Sequence, residues 1–135
     1  MRIVTEMLTD EVYEAVNDNG NKVTMDARKR EEKAHQSPLE LTLSSLAGCG
    51  AVDIVGILKK RKKTIQKFTI ETIGVRREEL PRAFTNIHCT YIITSPNVSE
   101  DELRKSAALA LEKYCSVAAS LKAEITFSVQ VIKTT

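Results

Sequence analysis

Three cysteines carry the most reactive side chains of this 135-residue chain. They stand at positions 49, 89 and 115 and form no Cys-X-X-Cys pair, so that redox motif is absent. Their odd number, in a chain whose charged start leads into no apolar signal-peptide core, argues against a structural disulfide framework. We therefore expect a cytoplasmic protein with free thiols, of which one or two could do chemistry.

Cys49 is surrounded by small residues. Gly48 and Gly50 flank it, and Ser45 precedes it by one helical turn. A glycine inside a helix costs about 1 kcal/mol relative to alanine, so close approach of another group would be a reason to keep both. That group is either a second backbone or a substrate that reaches the Cys49 sulfur. Because most buried cysteines are inert, Cys49 alone does not decide between them.

Other chemistries find little support in the sequence. His35 and His88 are the only histidines, and no cluster of ligands has metal-binding spacing. Phosphate loops, dinucleotide fingerprints and nucleophile elbows are also missing, so we expect neither a metal nor a bound cofactor. Twenty Lys and Arg against 18 Asp and Glu give a net charge of +2, which does not indicate binding to nucleic acid or acidic membranes.

The length and the 42% hydrophobic content are those of one globular domain over residues 1–135. Alternating strand patterns and turns predict a β meander over residues 1–26. Residues 27–36 are charged and have no apolar period, which favours an exposed or mobile loop. A capping box at Ser37-Pro38-Leu39-Glu40 then opens a helix over residues 37–63, which contains Cys49.

This helix is apolar around its whole circumference and would be roughly 33 Å long, so a single small domain could hardly bury it. The pattern therefore predicts a homodimer with the helix at its centre. Residues 59–63 are five consecutive cations. They suit a helix C-terminus, and the alternative is a nucleic-acid-binding patch.

The rest of the chain follows the same logic. Residues 67–95 predict a β hairpin, residues 99–121 a second helix that opens on a capping box and contains Cys115, and residues 123–132 a last strand. The element order βββ-α-ββ-α-β places the protein in the α+β class. Cys89 falls on an alternating strand, where packing is its expected role.

Two cysteine motifs and the segments around them resemble the OsmC/Ohr superfamily, and most closely its OsmC-like subgroup. The matching segments are Ser37-Pro38-Leu39-Glu40-Leu41, Leu46-Ala47-Gly48-Cys49, Asp53, Arg76-Arg77-Glu78, the run from Pro81 to Ile87, and Glu112-Lys113-Tyr114-Cys115-Ser116-Val117. The resemblance covers residues 37–132 well and the meander loosely. It implies an intertwined homodimer in which antiparallel sheets wrap two long central helices, with two active sites at the subunit interface.

The resemblance also implies an activity. Members of known function are thiol-dependent hydroperoxide reductases that act in oxidative-stress defence and favour organic peroxides. By this resemblance Cys49 is the peroxidatic thiol and Cys115 the resolving thiol, with an external dithiol as the reductant. Ser45, Gly48 and Asp53 are the candidate pocket-lining residues.

Two features of the characterised peroxidases have no clear match. Leu39 stands where those enzymes have an acidic residue, and Glu40 falls one place later, in the capping box. Their active-site arginine also has no clear equivalent. Cys49 lies too deep in its helix for the dipole to activate it, so Arg28, Arg30 and Arg82 are the candidate activating cations.

Two other functions remain open. The protein could be a non-catalytic or sensory dimer whose apolar interface pocket near Cys49 binds a lipid-like or electrophilic molecule. It could also be a structural or nucleic-acid-associated dimer that uses residues 59–63, with salt-sensitive binding.

Overall fold

The computed structural model describes all 135 residues. The strands are β1 (Ile3–Thr9), β2 (Val12–Asn17), β3 (Lys22–Asp26), β4 (Lys67–Arg76), β5 (Phe84–Ser95) and β6 (Glu124–Lys133). The helices are α1 (Pro38–Lys60), α2 (Glu100–Leu109) and α3 (Ser116–Ala119), with a π-helical segment, Ala110–Tyr114, between the last two. Two three-stranded sheets, β1-β2-β3 and β4-β5-β6, confirm the α+β class.

The chain forms two compact units, residues 1–42 and residues 43–135. The single-domain assignment from chain length stays a prediction, and the two units are described separately.

The first unit is an antiparallel meander that ends in an anchored loop. Asp26, the last residue of β3, has no exposed surface. Its carboxylate accepts hydrogen bonds from Arg28 Nε at 2.9 Å, Arg28 Nη2 at 2.8 Å and the Ala34 N–H at 2.9 Å. The Asp26 N–H donates to the Gln36 carbonyl at 2.9 Å. The charged segment before α1 is therefore exposed but tied at several points to one buried carboxylate.

Helix α1 begins at the expected capping box. The Ser37 Oγ accepts from the Glu40 N–H at 3.2 Å, and the Glu40 carboxylate accepts from the Ser37 N–H at 2.9 Å. These two bonds satisfy backbone donors that the first helical turn leaves unpaired. The Glu40 carboxylate is thereby committed to holding the start of the helix.

Only one face of α1 is buried within the chain, as expected of a helix that one small domain could hardly bury, and its burial by a second copy stays a prediction. The buried residues are spaced four apart, at Leu46, Gly50, Ile54 and Leu58, whereas Val52 on another face is 73% exposed. By length and composition alone α1 could cross a membrane. Its buried leucines and isoleucine nevertheless belong to the core of the second unit, as in the core helix of a globular fold.

The cations that end α1 have structural partners. Lys62 adopts a left-handed conformation with φ 58°, and the Lys63 N–H reaches back to the Leu58 carbonyl at 3.0 Å. Such a bond closes the last helical turn. The Lys63 ammonium lies 3.0 Å from the Glu102 carboxylate. These contacts support the interpretation of residues 59–63 as the end of a helix.

The second sheet is mixed, which corrects the expectation of antiparallel sheets. Strands β4 and β5 are antiparallel, but β5 and β6 are parallel, with Ile87 paired to Ile125. A parallel pair needs a crossover connection, and α2 with the segments after it supplies one. Central strand β5 turns Ile87, Cys89, Tyr91 and Ile93 into the core, where none is more than 1% exposed.

The second helix is interrupted where one continuous helix over residues 99–121 was expected. It starts at the expected capping box of Ser99 and Glu102. After Leu109 the chain widens into a π-helical segment, in which the Cys115 N–H donates to the Ala110 carbonyl at 2.7 Å. The extended conformation of Cys115, with ψ 102°, then ends it. No glycine or proline in residues 100–121 announces this break.

The Asp26 carboxylate predicts an acid-sensitive contribution to stability. Its hydrogen bonds with Arg28 hold the pKa of Asp26 well below its ordinary value. A lowered folded-state pKa stabilises the fold above the unfolded pKa, about 4, and this contribution disappears as the pH falls toward the folded pKa. Asp26→Asn should therefore lower the free energy of unfolding at pH 7, and the deficit should shrink below about pH 4.

Urea unfolding at a series of pH values measures this difference. Asp10→Asn, which removes an exposed carboxylate, is the matched control for lost charge. An Asp26→Asn deficit that stays constant down to pH 2 would contradict the assignment.

Candidate functional site

The fold brings Cys49 and Cys115 together although 65 residues separate them in sequence. Cys49 on α1 is partly exposed, and Cys115 is 3% exposed. Burial raises the pKa of Cys115 to about 11, and the neighbouring Cys49 thiol contributes to the rise. Both sulfurs are free thiols. The pair therefore combines an accessible thiol with a sheltered one.

The break in the second helix holds the Cys115 sulfur in place. Cys115 is the N-cap of α3, and its Sγ accepts a hydrogen bond from the Ala118 N–H at 3.4 Å. The backbone N–H groups of Ala118 and Val117 lower the pKa of Cys115, but burial outweighs them. A π-helical insertion is a frequent companion of functional sites. Here it turns a residue of the second helix toward α1.

Tyr91 provides a buried hydroxyl that the sequence reasoning did not single out. It lies on the core face of β5, has no exposed surface, and its Oη has no hydrogen-bond partner. Its ring packs between Phe68 and Phe127, with both centroid distances 6.2 Å. Burial, followed by the thiols of Cys89, Cys115 and Cys49, raises its pKa. An unpaired buried hydroxyl costs about 1–3 kcal/mol.

The two glycines beside Cys49 have different surroundings. A Cβ on Gly50 would lie 3.0 Å from the Tyr91 Oη, whereas a Cβ on Gly48 would meet nothing within 4 Å. The group that approaches Gly50 is therefore a side chain from the sheet, neither a second backbone nor a substrate. Gly48 lies on an exposed part of α1 together with Ser45.

A cavity of about 430 Å³ opens along the part of α1 that follows Cys49. Its walls combine apolar and charged side chains: Val52, Asp53, Gly56, Ile57, Lys60, Arg61, Leu109 and Tyr114. Asp53 follows Cys49 by one helical turn, and Tyr114 directly precedes Cys115. Of the three residues expected to line a pocket, Asp53 lines this cavity; Ser45 and Gly48 are not part of its walls, and their pocket role stays a prediction. This cavity could hold a small, largely apolar molecule with a polar end.

The third cysteine is part of the core. Cys89 has no exposed surface and belongs to the hydrophobic cluster that β5 shares with α1 and α2. Burial raises its pKa, which keeps it a neutral thiol. The packing role expected of Cys89 agrees with this environment.

The three candidate cations differ in how firmly they are held. Arg28 makes the two-pronged pair with Asp26 in the first unit, whereas Arg30 and Arg82 are exposed. The strongest influences on the pKa of Cys115 are burial, backbone amides and the Cys49 thiol, none of which is a cation. Leu39 carries no carboxylate, so the acidic residue that the resemblance implies has no counterpart at that position.

Comparison with known proteins identifies relatives of this chain. The sequence model of one family, described as OsmC-like protein, matches residues 30–130. Protein YhfA of Escherichia coli K12 is 34% identical over 116 residues, which cover 84% of this chain and 85% of YhfA. These matches confirm the resemblance seen in the cysteine motifs.

Solved structures of similar fold agree. The crystal structure of an OsmC-like protein from Mycoplasma pneumoniae is 24% identical with a TM-score of 0.83, covering 97% of this chain and 96% of that one. The organic hydroperoxide resistance protein OhrB of Bacillus subtilis is 12% identical with a TM-score of 0.64, covering 97% and 98%. At these identities the likeness shows the fold alone.

The proximity of the thiols predicts a specific disulfide. Treating the reduced protein with diamide, an oxidant of thiols, should link Cys49 to Cys115, because these two sulfurs are neighbours. Peptide mapping by mass spectrometry identifies the linked pair. Cys89→Ser should form the same disulfide and Cys115→Ser should form none within the chain. A disulfide that contains Cys89 would contradict the arrangement.

Proposed function

The chain belongs to the OsmC-like family, and from this premise we propose that it reduces organic hydroperoxides through Cys49 and Cys115. The observation that carries the proposal is the pairing of one accessible and one buried free thiol. Fold relatives with organic hydroperoxide resistance in their names support it.

The proposed reaction uses the two thiols in turn. The Cys49 thiolate attacks the peroxide, the O–O bond breaks, and the departing alkoxide takes a proton to leave as an alcohol. Cys49 becomes a sulfenic acid, with its sulfur oxidised and the peroxide reduced. Cys115 attacks that sulfur, water leaves, and a Cys49–Cys115 disulfide remains. An external dithiol reduces it by thiol–disulfide exchange and is itself oxidised.

The exposure of the two sulfurs suits these roles. A peroxide must reach the attacking sulfur, and Cys49 is the more exposed of the pair. Cys115 needs access only to Cys49, and its high pKa keeps it protonated, and therefore unreactive toward peroxide, at neutral pH. The assignment of Cys49 as the attacking thiol follows from this asymmetry.

The adjoining cavity supports an organic substrate. Val52 and Ile57 of α1, together with Leu109 and Tyr114, offer apolar surface there, and Val52 follows Cys49 by about one helical turn. Hydrogen peroxide has no group to bury there, whereas the hydrocarbon part of an organic hydroperoxide does. The charged residues Asp53, Lys60 and Arg61 at the same cavity suit a polar substituent.

Arg28 is our candidate for the cation that stabilises the thiolate of the attacking cysteine. Its guanidinium is the one among Arg28, Arg30 and Arg82 that a carboxylate orients, through Nε and Nη2. A fixed cation stabilises an anion without first having to be ordered. We propose Arg28, ahead of Arg30 and Arg82, as the activating cation.

We further propose that the protein functions as a homodimer in the cytoplasm, without a bound cofactor. Strand β1 exposes Ile3, Val4, Met7 and Leu8, so both of its faces carry uncovered apolar side chains. The face of α1 around Val52 is uncovered as well. Burial of such surfaces drives stable association, and a second copy would cover them.

A binding protein without catalysis is the second candidate. The cavity along α1 favours it, because this cavity could hold an apolar ligand whether or not Cys49 reacts. Ligand affinity that survives Cys49→Ser, in a protein that consumes no peroxide, would select this function.

The peroxidase proposal predicts loss of activity without the attacking thiol. Fully reduced protein mixed with one equivalent of cumene hydroperoxide should consume it within seconds to minutes and form the Cys49–Cys115 disulfide. Cys49→Ser should consume no peroxide above the buffer rate, and Cys89→Ser should behave as the unmodified protein. Peroxide loss and peptide mass mapping give both readings. Full activity of Cys49→Ser would contradict the proposal.

The resolving role predicts a different failure. In Cys115→Ser the Cys49 sulfenic acid has no partner, so excess peroxide should carry it to the sulfinic acid. Intact mass should rise by two oxygen atoms at Cys49. If Cys49 in this variant instead forms a disulfide with Cys89, then Cys89 is the resolving thiol and the assignment of Cys115 is wrong.

The exposed apolar surfaces predict a dimer. Light scattering should give about 30 kDa, twice the chain mass of 15.0 kDa. Val52→Asp, which places a charge on the uncovered face of α1, should shift the equilibrium toward monomer, and Thr69→Asp on an exposed position of β4 is the control. A stable monomer of the unmodified protein would contradict the proposal.

A further inference from the structure

The Tyr91 hydroxyl is a buried polar group beside the thiols that lacks a hydrogen-bond partner of good geometry. It is fully buried and makes no hydrogen bond of good geometry, although the Cys89 thiol lies close enough to raise its pKa through a hydrogen-bond contact. Phenylalanine would fill the same space between Phe68 and Phe127 without an unpaired group. The hydroxyl therefore destabilises the reduced protein. We expect it to contribute a favourable interaction in another state of the site.

The position of the hydroxyl is set by two elements. Strand β5 carries the ring, and α1 receives the oxygen at Gly50, the residue that follows Cys49. Any larger residue at position 50 would press on the Tyr91 Oη, since even a Cβ would lie 3.0 Å from it. Gly50 therefore lets the oxygen approach the helix next to the attacking thiol.

The groups around this oxygen are apolar or are thiols. Phe68 of β4 and Phe127 of β6 flank the ring, and the titratable groups that act on the hydroxyl are Cys89 of β5, Cys115 and Cys49 of α1. A neutral thiol is a weak hydrogen-bond acceptor. A thiolate is an anion, and hydrogen bonds to anions are stronger than those between neutral groups. The neutral Cys89 thiol offers the hydroxyl only a weak acceptor, and a strong one appears when a thiol of the Cys49–Cys115 pair ionises.

We propose that the Tyr91 hydroxyl donates a hydrogen bond to the anionic sulfur that forms at the Cys49–Cys115 pair and so promotes its reactions. The proposal rests on the function proposed above and assigns to the thiol pair a polar group that lies in the same unit. Tyr91 is a neutral donor throughout, because its raised pKa keeps the proton on the oxygen. The hydrogen bond stabilises the pair only when one of its thiols is ionised, and the thiolate is the reactive form.

Thiol ionisation tests the proposal without any peroxide. With ¹³Cβ-labelled cysteine, NMR titration follows each thiol of the reduced dimer. Tyr91→Phe should raise the first apparent pKa of the Cys49–Cys115 pair by about one unit. Tyr13→Phe, which removes an exposed hydroxyl of the first unit, should leave it unchanged. Unchanged titration of the pair in Tyr91→Phe would overturn the proposal.

The rate of disulfide formation with diamide gives a second reading. At pH 7 one unit of pKa leaves a tenfold smaller thiolate fraction, and the stronger nucleophilicity of the more basic thiolate offsets part of the loss. Tyr91→Phe should therefore slow the Cys49–Cys115 disulfide about threefold. A rate equal to that of the unmodified protein would overturn the proposal.

Stability separates this role from a structural one. Because the hydroxyl has no partner in the reduced fold, Tyr91→Phe should keep or raise the urea midpoint of the reduced protein. A midpoint lower than that of Tyr13→Phe would mean that the hydroxyl supports the fold, and would overturn the proposal.

Gly50→Ala is an independent test of the proposal, because this variant keeps the Tyr91 hydroxyl but displaces it from α1. It should raise the apparent pKa of the pair in the same direction, and it should have no further effect on that pKa when combined with Tyr91→Phe. An equal effect of Gly50→Ala in both backgrounds would overturn the proposal. If these titrations behave as expected and the protein consumes no hydroperoxide, the role of Tyr91 stands and the peroxidase function fails.

Discussion

Close packing of α1 on β5 is the constraint on which the thiol site depends. Leu46, Gly50, Ile54 and Leu58 form the buried stripe of the helix, and Tyr91 meets this stripe at the glycine. Because every side chain in the stripe sets the distance between helix and sheet, the contact at Gly50 controls where Cys49 lies. The chemistry of the partly exposed sulfur therefore depends on the packing of residues that do not react.

The second determinant is the interrupted helix that carries Cys115. A continuous helix would keep the backbone of Cys115 in regular hydrogen bonds, whereas the π-helical segment and the extended Cys115 free its sulfur to cap α3. Burial then keeps this thiol protonated. Backbone geometry thus makes the Cys49 sulfur accessible and the Cys115 sulfur protected. The groups that act on Cys115 are neutral.

Much of this arrangement follows from local sequence signals. The capping boxes at Ser37 and Ser99 and the alternation of the strands predict the element order, because these patterns act over a few residues. The cysteine motifs predict the family, which the comparisons confirm. The parallel pairing of β6, the break at Cys115 and the role of Gly50 escaped prediction, since each depends on groups distant in sequence. The same holds for Asp26, whose two oxygens anchor a segment that has no apolar period.

The sequence by itself determined the secondary-structure elements, the two free thiols in helices and the family. Helix caps, apolar periodicity and motifs each depend on residues that are close together in sequence. Only the tertiary structure decided that Cys115 is buried beside Cys49, that Tyr91 is the hydroxyl near both, and that one face of α1 is uncovered. Burial and electrostatic neighbours arise when the chain folds back on itself. A thiol's reactivity is set by those neighbours more than by its place in the sequence.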